Sequence, residues 1–563
     1  MRPAAMASLH ARTTAMPPIE PTCMSMMITE GSPSAAVATA SRGSETVVME
    51  RRGPESAAST SLRTQSSSAM SSTVAMAGIV VAMGQVRIGS AATLSAVIDE
   101  DGRPGEACGV FGAWAPGQQA SLLAYFGLFA LQHRGQESAG ICASDGETAT
   151  VFKELGLVPQ VFDEQVLAAL EGHMAIGHTR YSTTGSPKWT NAQPVFRQVG
   201  DRSLAVGHNG NLTNTVDLAR EAGLADVTDT EIIIELLARK AEQFGPDFEL
   251  DQALAGILPK LEGAFSLVLM DQNTLVGVRD RNGFRPLCLG KLEDGWVLAS
   301  ETSALDIVGA TFVREIPPGE MVVIDESGVR SLAFAEAKPR LCVFEFVYFA
   351  RPDSRLHGTD VHGRRQEMGR ILAREQPVDA DVVVPVPESG IPAAQGFSAE
   401  SGIPYADGLV KNRYVGRTFI EPTQLLRDRG IRVKLNPIRS TLEGKRVVLV
   451  DDSIVRGSTT RKLVAMVRQA GAAEVHLRIS SPPYEHPCFY GMDTSDASKL
   501  LAARMGVDEI ATHVDADTLG YLSLPGLLDA TGSADEGFCT ACLSGVYPTE
   551  IPEGLTKHSL EPA

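Results

Sequence analysis

At 563 residues the chain is too long for one ordinary core, and typical domain sizes favour two or three domains with tails. A net charge of -18 leaves no surplus of Lys and Arg for a sequence-independent grip on nucleic acid or on an anionic membrane. The longest strongly apolar stretch, Val74 to Met83, is about half of a roughly 20-residue membrane span, so the chain is expected to be soluble.

Ten of the 17 Met fall between Met1 and Met83, amid Ala, Ser, Thr and Pro without periodicity, which predicts a disordered leader over residues 1–107. Glu20, Glu30, Glu45, Glu50 and Glu55 suit a transit peptide badly. A start assigned too far upstream, with the true one at Met70, Met76 or Met83, is the preferred reading. From Cys108 the pattern becomes regular. Cys108 to Trp114 reads as a short buried strand and Ser121 to Gln132 as a helix with an apolar face. Strand signals recur at Met174 to Ile176, Leu204 to Val206, Phe265 to Leu269, Trp296 to Ala299 and Met321 to Ile324, with helices over Asp229 to Phe244 and Asp251 to Leu261. These predict a mixed, sheet-rich domain over residues 108–340.

Beyond Cys342, helices alternate with apolar strands. A helix around Arg364 to Arg374 precedes the nearly all-Val strand Asp381 to Val386; Arg446 to Val450 repeats that signature before a helix reaching about Ala470. This alternation predicts a parallel α/β sheet over residues 341–525, leaving 526–563 as a C-terminal segment.

VVLVDDSIVRGSTT, Val447 to Thr460, places two adjacent carboxylates at the end of a buried strand and a Gly-Ser-Thr turn before a helix. Backbone N–H groups at such a turn and the positive end of the helix can hold a phosphate. Asp451 and Asp452 can accept from ribose hydroxyls or help hold hydrated Mg²⁺. A lone Asp here would more often be a helix cap, but two Asp, an Arg and Gly-Ser-Thr-Thr together exceed that reading. The stretch resembles the signature of type I phosphoribosyltransferases, and VPVPESGIPAA, Val384 to Ala394, is similar to their pyrophosphate loop. The resemblance implies that phosphoribosyl pyrophosphate is bound by Ser389, Lys411, Tyr414, Asp451, Asp452, Ser453, Arg456, Gly457, Ser458 and Thr459, with Mg²⁺ at Ser389, Asp451 and Asp452. The basic stretch Lys411 to Arg427, ordinarily a solvated face, resembles the loop that closes over this substrate and excludes water.

Cys108 alone would be read as a small buried hydrophobe. Together, CGVFG from Cys108, GHTRYSTTG from Gly177, HNGNL from His208 and DTE from Asp229 resemble the glutaminase domain of the N-terminal-nucleophile amidotransferases. That likeness implies an αββα fold with Cys108 as nucleophile, its own α-amine as general base, and Asn209 with the Gly210 N–H as oxyanion hole. Arg180 would take the glutamine α-carboxylate and Asp229 its α-ammonium, the alternative for both being a structural ion pair. Because the amine must be free, cleavage between Ala107 and Cys108 is predicted, carried out by the domain itself.

Eight Cys are too sparse for a disulfide framework. Cys342, Cys488 and the pair Cys539 and Cys542 are open to reading as a Cys₄ zinc site or as four unrelated thiols. One branch of the glutamine phosphoribosylpyrophosphate amidotransferases carries a structural 4Fe-4S cluster on Cys in similar contexts, which implies that role here. Cys23, Cys142 and Cys288 have none. The combined resemblance, from Cys108 to Pro548, implies the first step of purine biosynthesis: glutamine, phosphoribosyl pyrophosphate and water giving 5-phosphoribosylamine, pyrophosphate and glutamate. It also implies a channel for ammonia, feedback inhibition by purine nucleotides, a homotetramer and a cytoplasmic location. A regulatory protein that lost catalysis, and a synthase sharing only the glutaminase domain, are the weighed alternatives. Intact Cys108, Asn209, Asp451 and Asp452 speak against the first, and Val447 to Thr460 against the second.

Overall fold

The computed structural model describes residues 107–181, 188–412, 434–492, 494, 496–532 and 537–553, and the strand Val47–Met49. Apart from that strand and Ala107, the predicted disordered leader lies outside the described residues. Val47–Met49 runs parallel to the edge strand Ala149–Leu155.

Two antiparallel sheets build the first half. In the first sheet, Met174–Arg180, Gly109–Trp114 and Gly295–Ala299 are central; in the second, Leu275–Arg279, Gly263–Met270 and Arg202–Leu212 are. The period-2 alternation of a strand assigns opposite faces to neighbours. Val110 joins Ile176 and Leu298 in a core shared with Val268, Leu275 and Val322 of the second sheet. Phe111 instead packs with Ala124 and Leu128 of the helix Ala120–Ala130. On the far side, Ile232, Ile233 and Leu237 of the helix Asp229–Phe244 cover Val206 and Leu267. The result is four layers, αββα, with both sheets covered on both faces.

The second half carries a four-stranded parallel sheet, Val382–Pro385, Arg446–Asp451, Glu474–Ile479 and Thr518–Tyr521, whose spatial order is the chain order. Val383, Val448 and Val450 pack with Met368 and Leu372 of the helix Val361–Glu375 and Phe397 of Ile391–Ser401. Val447 and Leu449 pack on the other face with Leu463 and Val467 of the helix Ser458–Gln469. The sheet is therefore buried on both sides, which is why its strands read as unbroken apolar runs.

Differences from expectation have local causes. The helix expected over Asp251 to Leu261 splits into Leu250–Ala255 and a 3₁₀ turn Leu258–Lys260, because Pro259 lacks the N–H a continuing helix needs. The hairpin Ser138–Ser144 with Ala149–Leu155 was not among the expected strands. The C-terminal segment is structured: Leu527 and Ala530 of the helix Leu524–Thr531 join the core of Leu372, and Phe538–Cys539 pairs in parallel with Leu341–Cys342.

Candidate active sites

Cys108 immediately precedes the strand Gly109–Trp114, beside the end of Met174–Arg180. Its Sγ donates to the Tyr181 carbonyl at 3.3 Å and accepts from the Tyr181 N–H at 3.4 Å. Gly210 comes from the second sheet, and Asp229 from the first turn of a helix whose start is set by a reciprocal cap between Thr228 and Glu231. One cavity is lined by Cys108, Arg180, Tyr181, Gln193, His208, Gly210 and Asp229. The four motifs thus converge, although they span 121 positions between Cys108 and Asp229.

Gly210 has φ +152°, and a Cβ there would stand 2.0 Å from the Ala264 carbonyl oxygen, so no other residue fits. Asn209 is 1% exposed, and neither atom of its amide has a hydrogen-bond partner among the described residues. Such an orphan normally costs about 1–3 kcal/mol, so this amide calls for an explanation. Arg180 lies 3.7 Å from Glu137, and Asp229 3.5 Å from His208. Each therefore has an ionisable neighbour of its own beside the cavity.

Burial pushes the Cys108 thiol above its ordinary value; the Tyr181 N–H and Arg180 act against this, and Glu137 and Asp229 with it. Burial also opposes ionisation of Asp229, but His208 and the N–H groups of Leu212 and Thr230 outweigh it and hold this carboxyl below the usual range. Tyr181, Gln193 and His208 escaped the sequence reading as site residues, although Tyr181 and His208 sit inside two quoted motifs. Gln193 accepts from the His208 N–H at 2.8 Å and donates to Thr230 at 3.0 Å, a contact with no local sequence signal.

The phosphoribosyl candidates gather at the carboxyl ends of the parallel strands. Asp451 ends Arg446–Asp451 and accepts the Asp452 N–H at 3.0 Å. Asp452 holds Ser453 Oγ with one oxygen at 2.6 Å while its Oδ1 is buried without a partner among the described residues, as are Ser389 Oγ and Thr459 Oγ1. Gly457, at φ +76°, turns the chain into the helix that begins at Ser458. Lys411 Nζ lies 3.6 Å from Glu388, next to Ser389, so the two loops meet. Arg456 is half-buried and Ser458 exposed at the rim. Tyr414 and the remainder of the expected closing loop, 413–427, lie outside the described residues.

Three distant segments bring the four Cys into one buried region. Cys342 stands opposite Cys539, and the Cys542 carbonyl accepts from the backbone of Glu485 and His486, ahead of Cys488. All seven described Cys are unbridged. Burial raises each of these four thiols, Cys342 to about 12, and a charge on one bears on the others. Four such thiols fit a Cys₄ group by donor chemistry. Among the described residues, no three His, Cys, Asp or Glu side chains already stand together as a metal-holding set.

An N-terminal-nucleophile-like pocket in a four-layer fold, followed by a carboxylate and phosphate turn on a parallel sheet, defines an amidotransferase joined to a phosphoribosyltransferase. Residues 178–307 match the family described as glutamine amidotransferase domain, and residues 370–495 match the phosphoribosyl transferase domain. The amidophosphoribosyltransferase of Mycobacterium leprae is 56% identical over 465 residues, 80% of this chain and 83% of its own. That of Bacillus subtilis is 47% identical over 457 residues, 79% and 95% respectively. A solved B. subtilis glutamine phosphoribosylpyrophosphate amidotransferase, complexed with ADP and GMP, has a TM-score of 0.74 at 46% identity and covers 80% of this chain and 99% of that one. The chain belongs to the amidophosphoribosyltransferase family.

Proposed function

We propose that the chain carries out its family's reaction, the first step of purine biosynthesis, through two sites in series. At the first, Cys108 attacks the glutamine carboxamide, Asn209 and the Gly210 N–H stabilise the oxyanion, and ammonia leaves as a glutamyl thioester forms; water then releases glutamate. Arg180 takes the substrate's α-carboxylate and Asp229 its α-ammonium. At the second, ammonia displaces pyrophosphate from the ribose carbon, giving 5-phosphoribosylamine. Asp451 and Asp452 hold the ribose hydroxyls, and the turn from Gly457 to Thr459 with Ser453 and Arg456 holds the 5-phosphate. Ser389, Lys411 and Tyr414 serve the pyrophosphate. The observation that carries this reading is the convergence of Cys108, Arg180, Gly210 and Asp229 on one cavity, beside an Asn209 amide left without a partner.

Ser389, Asp451 and Asp452 would hold Mg²⁺, which offsets pyrophosphate charge when bound. The orphaned Ser389 Oγ and Asp452 Oδ1 support this assignment. Cys342, Cys488, Cys539 and Cys542 would hold a 4Fe-4S cluster, which when bound ties the C-terminal segment to both halves. In the intact chain the Cys108 amine is part of a peptide bond, so the leader is removed at Ala107. Ala107 is 1% exposed and Cys108 5%, and this burial favours self-cleavage. Feedback inhibition by purine nucleotides, a homotetramer, an ammonia channel and a cytoplasmic location belong to the same proposal. Among the described residues no helix is long and apolar enough to cross a membrane.

The test is anaerobic purification followed by intact mass, iron content and glutamine-dependent release of pyrophosphate. The expected result is a mass beginning at Cys108, about four Fe per chain and turnover lost in Cys108→Ala. An uncleaved chain that binds nucleotides without turnover would sink the catalytic reading.

A further inference from the structure

Between the two halves lies a set of charges wholly withdrawn from water: Arg134, Arg285, Glu301 and Glu345 are each 0 or 1% exposed. Arg134 donates to Glu345 at 2.7 and 2.9 Å and to Glu301 at 2.5 Å, and its Nε donates to the Cys108 carbonyl at 3.2 Å. Glu345 also lies 3.2 Å from Arg285, whose guanidinium donates to the Tyr490 carbonyl at 3.0 and 3.2 Å. The residue after Tyr490, Gly491, approaches the oxyanion strand so closely that a Cβ on it would stand 3.2 Å from the Gly210 carbonyl carbon. Glu345 comes from the linker turn Glu345–Phe349, outside the glutaminase layers, and is the carboxylate shared by both arginines.

We propose that Glu345 is a positioning residue for glutamine hydrolysis, holding the backbone of the nucleophile through Arg134 and the backbone of the oxyanion hole through Arg285 and the Tyr490 to Gly491 segment. The physical reason is charge balance. Two buried guanidiniums face two buried carboxylates, and without the Glu345 charge both arginines are left to Glu301 or to nothing. Arg134 then moves toward Glu301 and away from the Cys108 carbonyl, while Arg285 releases the Tyr490 carbonyl. Displacements of about 1 Å between nucleophile and oxyanion donors cost on the order of 100-fold in rate. The inference rests on Cys108 and Gly210 acting as assigned above.

The experiment compares glutamine-supported with ammonia-supported turnover in the full processed chain for Glu345→Gln, Glu345→Asp and Cys108→Ala. For Glu345→Gln the ratio of the two is expected to fall roughly 10- to 100-fold, in kcat for glutamine rather than KM, with partial return in Glu345→Asp. An unchanged ratio, or both activities falling together, would overturn the proposal. If Glu345→Gln does not fold, Gly491→Ala, which keeps every charge but at φ +104° sets a Cβ 3.1 Å from Arg285 Nη2 and 3.2 Å from the Gly210 carbonyl carbon, must lower the same ratio; an unchanged ratio there would overturn it equally. Cys108→Ala that still uses glutamine would instead remove the site assignment itself.

Discussion

The two sites are built in opposite ways. The phosphoribosyl site is local: from Asp451 to Thr459 one strand end, one turn and one helix start supply seven of its candidate residues, and Lys411, Ser389 and Ser458 leave its rim open. The proposed glutaminase site is long-range and closed: its candidate residues Cys108, Arg180, Asn209 and Asp229 are at most 5% exposed and come from both sheets and a helix. A local site is positioned by its own backbone hydrogen bonds. A dispersed one is only as accurate as the packing between layers, which is why buried polar contacts such as Gln193 to His208 and Arg134 to Cys108 surround it. The comparison teaches that perturbing the interface between the halves should damage the proposed glutaminase site far more than the phosphoribosyl site.

Cys108→Ala should break the comparison most sharply. Glutamine-supported turnover is expected to fall on the order of 10⁴-fold or more, while ammonia-supported turnover continues, in a steady-state assay of pyrophosphate release. Asn209→Ala keeps the nucleophile and removes one oxyanion donor, so a kcat loss of roughly 10²- to 10³-fold with glutamine is expected. Asp452→Asn should depress turnover with either nitrogen source together, by about 10²-fold, since it acts where both routes meet. Unequal losses with the two sources would blur the separation of the sites.

Smaller effects concern the frame. Cys539→Ser, or chelation of bound metal, should lower the melting temperature by several degrees, given roughly 2–4 °C per kcal/mol for a domain of about 200 residues, and should reduce bound iron. An equal iron content in the variant would remove Cys539 from the ligand set. Asp229 sharpens the comparison through pH. Its folded-state value lies below the unfolded value near 3.9, so it adds stability above that pH and loses it as the pH falls through the folded value. Asp229→Asn should therefore flatten the fall in melting temperature below about pH 4, measured by calorimetry on the ligand-free chain.

Legibility in the sequence followed the same division. The helix Asp229–Phe244 was read to its ends because the Thr228 and Glu231 cap and the Ile and Leu spacing lie within the segment itself. Val447 to Thr460 was readable because strand, carboxylates, turn and helix start are consecutive. Ser138–Ser144, all seven residues buried, went unrecognised because SAGICAS carries little apolar bulk, and its burial comes from the layers on either side. Arg134 offered no signal either, since its carboxylate partners lie 167 and 211 positions away.

The sequence alone determined which chemistry the chain carries through the resemblance of its short, consecutive motifs to two known families. It determined the alternating strands of the second half through their unbroken apolar runs. The tertiary structure decided what those motifs meet: that Cys342, Cys488, Cys539 and Cys542 reach one buried region, that Asn209 is left without a partner, and that a linker carboxylate lies between two arginines. These depend on burial and on distances between segments far apart in the chain, and neither quantity exists until the layers have closed.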